Sequence, residues 1–64
     1  MSVSNGFFTG VDGEMLRLSS VTMVEPIQGN NGGSFYEVIT ISGHISVKES
    51  YYSRANFIAE WMLT

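Results

Sequence analysis

The chain has no cysteine and one histidine, His44. That rules out disulfides and thiolate metal sites, and zinc would need several good ligands per chain or a site shared by symmetry. No metal and no cofactor are therefore expected. Proline occurs once, at Pro26. Charge is scarce as well: 14% of residues are charged, against a usual value of about 25%. The three cations are Arg17, Lys48 and Arg54, and the net charge is −3. A basic stripe of the kind that binds nucleic acid is missing, which argues against a nucleic-acid partner. There is no apolar run of about 18 residues, so no membrane-spanning helix is expected. The opening "MSVSNGFFTG" lacks a charged segment followed by a long apolar core, so it does not read as a secretory signal. The expected location is the cytoplasm, or the host cytoplasm for a phage-encoded chain.

What is present is apolar: 44% of the 64 residues. One domain spanning residues 1–64 is expected, and so short a chain buries only about 60% of the surface its unfolded form exposes. Strands are expected over about residues 7–48. Phe7 to Val11 reads as a first strand, and Asp12-Gly13 as a hairpin turn that uses the positive φ glycine accepts. "EMLRL" follows, with Leu16 and Leu18 on one face and Met15 and Arg17 on the other. "VTMVEPIQ" reads as a third strand, placed at an edge by Pro26, which cannot donate to a ladder. "FYEVITIS" is rich in β-branched residues and has apolar side chains on both faces, which suits a central strand. "HISVK" should turn Ile45 and Val47 inward. The expected fold is mainly β with one C-terminal helix (α+β). Its sheet would be small, bent and antiparallel, or a partial barrel of four or five strands, and the protein homo-oligomeric.

The helix is expected over about residues 51–62, capped by Ser50 with Glu49 at its positive end. At about 100° per residue, Tyr51, Ala55, Ile58, Ala59 and Met62 share one side. Phe57 and Trp61 widen that side one way, Tyr52 and Leu63 the other. The apolar arc then covers roughly 240°, where a surface helix needs little over 100°. One sheet cannot cover it. Phe57, Ile58, Trp61, Met62 and Leu63 therefore read as an interface with a second copy, most simply in a two-fold dimer.

Candidate sites are few. "GNNGGS" places Asn30, Asn31, Gly32 and Gly33 in a loop whose amides could cradle an anion; the plainer reading, which the sequence favours, is a hairpin connection needing positive φ. His44 could contact a ligand, although its strand position favours a solvated side chain. Tyr51, Tyr52 and Arg54, with Lys48 nearby, could stack on or pair with a nucleotide-like anion; the plainer reading of the aromatics, core and dimer contact, is the one the sequence favours. Glu14, Glu25, Glu37 and Glu49 have no spacing that forces a carboxylate dyad, and no triad is suggested.

The stretch "VEPIQGNNGGSFYEVITISGHISVKESYYSRANFIAEW", with the earlier "VDGEMLRLS", resembles the small flagellar FlbD-like proteins over roughly residues 9–62. The shared pattern is a hairpin around Gly-Glu, a Gly before "VKES", and a terminal helix. It is also similar to short phage accessory proteins. The resemblance implies a hairpin-rich chain ending in a helix and carries over no catalytic residue. The expected function is thus non-enzymatic: a phage-type accessory protein that sequesters a small anionic or nucleotide-like signal at pockets between subunits, with an anti-defence role. The alternative is an interaction module docking on a larger host or flagellar partner through its C-terminal helix.

Overall fold

The computed structural model describes residues 3–30 and 33–64. The chain is mainly β, with two antiparallel sheets and one C-terminal helix. The first sheet holds β1 (Val3–Ser4), β2 (Phe7–Thr9) and β3 (Met15–Arg17), in that order. The second holds β4 (Val21–Val24), β5 (Gln28–Asn30), β6 (Gly33–Thr40) and β7 (Gly43–Lys48). Among the described residues, seven strands therefore replace the four or five expected. One extra strand is β1, joined to β2 by Asn5-Gly6, both at positive φ (55° and 81°). Asn-Gly is a strong two-residue hairpin signal, and it pairs Ser4 with Phe7. The other arises where the expected third strand breaks at Glu25-Pro26-Ile27 into β4 and β5. Both halves pair with β6, end to end along one of its sides, while β7 pairs along the other. Strand β6 is thus central, and Pro26 falls at a break in an edge.

A bulge in β4 decides what goes inside. The register slips between Val21 and Met23, so that Val21 pairs with Thr40 and Met23 with Ile39. An extra residue lets two positions of odd spacing face the same way. Val21 and Val24 are both buried, and Thr22 and Met23 both point out.

The helix α1 spans Arg54–Met62 and begins later than expected. Its cap is Ser53, not Ser50: the Ser53 hydroxyl accepts the Asn56 amide at 3.2 Å. Lys48 O accepts the amides of both Tyr51 and Tyr52, and Glu49 Oε2 accepts the Arg54 amide at 2.8 Å. This turn frees the tyrosines to meet β2. The Tyr51 hydroxyl donates to Thr9 O at 2.8 Å, and the Tyr52 ring lies 5.5 Å from that of Phe8.

The helix is also rotated from the expected face. Arg54, Phe57, Ile58 and Trp61, at i, i+3, i+4 and i+7, turn inward, while Ala55, Ala59 and Met62 are exposed. The ridge with two aromatic rings and an isoleucine buries more apolar area than the alanine stripe. Phe57 is completely buried, so it cannot serve an interface with a second chain, and Ile58 and Trp61 rest against the same core. Of the five proposed interface residues, Met62 and Leu63 alone are largely exposed, at 78% and 81%.

The core joins Phe8, Leu18, Val21, Val24, Tyr36, Val38, Val47 and Phe57. Phe57 sits edge-on to Phe8 (5.1 Å between ring centres) and to Tyr36 (6.1 Å). The Tyr36 hydroxyl donates to Tyr52 O at 2.8 Å. Burial, then the nearby Glu49 carboxylate, pushes the Tyr36 phenol far above its ordinary pKa.

Two outcomes follow. Trp61→Asp should lower the melting temperature in scanning calorimetry, because the ring leans on this core. Phe57→Ala should cost about 3–5 kcal/mol, enough to leave so small a domain largely unfolded by circular dichroism.

Candidate functional site

Arg54 faces inward at the start of α1 and is committed. Its Nε donates to Glu25 O at 2.7 Å and its Nη2 to Val24 O at 3.0 Å. These carbonyls lie where β4 ends ahead of Pro26, and the guanidinium ties that break to the helix. Arg54 is therefore a structural tie and not a free anion contact. Tyr52 is half-buried, with its carbonyl bonded to Tyr36 and its ring on Phe8. Burial, followed by the charge of Glu60, raises its phenol pKa. Asn30 pairs with Gly33 between β5 and β6. Asn31 and Gly32 lie outside the described residues, so the proposed anion loop has no described geometry.

Tyr51 and Lys48 do come together. Both line a cavity of about 210 Å³ between the first hairpin and β7. Phe8, Val11, Ile45 and Val47 supply its apolar walls. A second, shallower cavity of about 390 Å³ continues between β3 and the other end of β7, lined among others by Met15, Arg17, Gly43 and His44. The cavities follow one seam, because β3 and β7 do not pair with each other. The sheet is not closed there.

The walls of this seam are strand edges. Glu49 donates its amide to Ser34 O at 3.1 Å. Antiparallel alternation then turns the backbone groups of Val47, Ile45 and Gly43 toward β6, and those of His44 and Ser46 away from it. On the other wall, Gly10 donates to Glu14 O (2.7 Å) and Leu18 to Gly6 O (2.8 Å). The same alternation points Leu16 at β2 and leaves the backbone groups of Met15 and Arg17 facing outward. The Arg17 carbonyl accepts the Ser20 hydroxyl at 2.7 Å. Val11 (71% exposed) and Met15 (65%) stand at the rim. Gly10 is buried beneath Glu14, whose side chain occupies the space a Cβ would need.

Sequence reasoning missed Val11, Glu14 and Met15 as site residues. Val11 and Met15 gave one signal, large apolar side chains in a hairpin with no place in the chain's own core; Glu14 gave none. His44 is exposed as expected, and its Nδ1 donates to Glu37 Oε1 at 2.9 Å. Ser46 donates to the other carboxylate oxygen of Glu37. Both partners bond to Glu37 rather than to each other, so the Ser46 hydroxyl meets a carboxylate and not the imidazole. The cluster is a set of cross-strand contacts: Ser46 is directly opposite Glu37, and His44 is opposite Ile39. Among the described residues, no group of three His, Asp or Glu side chains could hold a metal ion. Among the same described residues, no helix is long and apolar enough to cross a membrane.

In comparisons with known proteins, the chain matches no family model, no curated protein and no solved structure.

The Glu37 contacts predict a pH dependence. The Ser46 hydroxyl, then His44, holds the Glu37 carboxyl below its ordinary value of 4.5. A carboxyl depressed in the folded state stabilises the fold above that ordinary value and gives up its contribution as pH falls through the folded one. Denaturation midpoints of wild type and Glu37→Gln should therefore differ at pH 7 and converge as pH drops below about 4.5. A constant difference across that range would contradict the assignment.

Proposed function

We propose that the chain is a non-enzymatic interaction module that takes an extended segment of a partner polypeptide into the seam between β3 and β7. The observation that carries this reading is the seam itself: two outward-facing strand edges flanking an apolar cavity. An extended segment supplies what both walls lack. Its amides and carbonyls would bond to the backbone of Met15, His44 and Ser46, and one of its side chains would enter the cavity. Strand addition of this kind gives affinity through main-chain bonds and specificity through alternate side chains.

The reading departs from a small nucleotide-like ligand because Arg54 is bound to carbonyls, leaving Lys48 and Tyr51 from that set at a mostly apolar cavity. It departs from docking through the helix because α1 turns its aromatic ridge inward. Nor does it need a pocket shared between subunits, since one chain builds the seam.

Peptides selected from a random library by the immobilised protein provide the test. Bound in solution, such a peptide should shift the amide resonances of Met15, Arg17, His44 and Ser46. N-methylation at one alternating set of peptide amides should weaken binding more than tenfold, and at the other set little. Shifts centred on Met62 and Leu63 would move the site to the helix. Indifference to N-methylation at both sets would overturn strand addition.

A further inference from the structure

The charges around the seam point to the chemistry of its occupant, given the strand-addition reading above. The chain carries six acidic residues and three cations. Along the seam the balance reverses: Arg17 and Lys48 line its two cavities, with Glu14 the one acidic residue among the lining side chains. The third cation, Arg54, is occupied elsewhere. Glu14 folds back on its own hairpin, where its Oε1 accepts the Asp12 amide at 3.2 Å. Glu37, on β6 beside the seam, is already engaged by His44 and Ser46. Arg17 is held in place, its guanidinium carbon 4.8 Å from the centre of the Phe7 ring.

Range decides which charges an occupant feels. Exposed charges are screened over about 8–10 Å at ordinary ionic strength, while the molecule measures 33 × 22 × 20 Å. Glu49 adjoins Lys48, but its Oε2 accepts the Arg54 amide at 2.8 Å, and Asp12 stands at the hairpin tip. The charges nearest an occupant are those that line the cavities, Arg17 and Lys48 against Glu14.

The cavity sets the other half of the specificity. At about 210 Å³ it exceeds the roughly 150 Å³ of an apolar cavity known to accept benzene. A leucine, methionine or phenylalanine side chain fits among Phe8, Val11, Ile45, Val47 and Tyr51. We infer that the seam recognises an acidic extended segment of a partner protein, with one large apolar side chain seated in the Phe8–Tyr51 cavity and carboxylates facing Arg17 and Lys48.

The experiment uses the full chain and labelled nine-residue peptides with a central leucine flanked by Glu, Ser or Lys, measured by fluorescence polarisation. The Glu-flanked peptide should bind about threefold to fivefold more tightly than the Ser-flanked one, as expected for one or two exposed charge pairs, and the Lys-flanked peptide most weakly. The spread should shrink at 0.5 M salt. Replacing the central leucine with serine should abolish most binding. The double variant Arg17→Glu/Lys48→Glu, checked for folding by circular dichroism, should reverse the order of the Glu and Lys peptides. If none of the peptides binds, the strand-addition reading fails. Equal binding, or preference for Lys in the wild type, overturns the acidic assignment alone. Oligothymidylate binding with shifts at the same seam amides would overturn both, making the occupant a nucleic acid.

Discussion

The fold depends on a single aromatic contact group. Phe8 comes from the first sheet, Tyr36 from the second and Phe57 from the helix, and their rings meet edge to face. Three short strands in the first sheet and four in the second each need an apolar face packed against something for stability. Phe57 is the wedge that covers both. Edge-to-face ring pairs add about 0.5–1.5 kcal/mol beyond their burial, and these contacts tie together parts of the chain far apart in sequence. The hydroxyl of Tyr36 then binds the Tyr52 carbonyl, so the turn before the helix is held by the same group.

The seam follows from that arrangement. Phe8 belongs both to the ring group and to the cavity wall, and beside it the edges of β3 and β7 are left without each other. The residues that could close the gap by side-chain packing, Val11 and Met15, lie at its rim. A site on two strand edges with an apolar floor is thus a by-product of how so short a chain covers its core.

Much of the strand pattern was legible in the sequence. The β-branched run in β6, the inward Ile45 and Val47, the Leu16/Leu18 face and the turn at Gly13 all rest on local alternation and positive φ. What was not legible depended on distant partners. The bulge at Thr22 answers to β6. The inward face of α1 is set by which ridge best fills space between two sheets, and periodicity alone could not choose it. Arg54 reads as a free cation until the carbonyls of Val24 and Glu25 are placed beside it. The first strand was a different kind of miss, since Asn5-Gly6 announces its turn plainly. The seam could not be read at all, because its walls come from strands separated by most of the second sheet.

Hairpin order has a consequence for how the molecule assembles. β1 meets β2, β2 meets β3, β5 meets β6 and β6 meets β7, each across a short connection. Closing such short loops costs little entropy, and chains rich in local contacts fold fast for their size. The expensive step is bringing Phe57 back to Phe8. Nucleation should therefore begin in the β6–β7 ribbon, with the helix arriving as the final, rate-determining clasp.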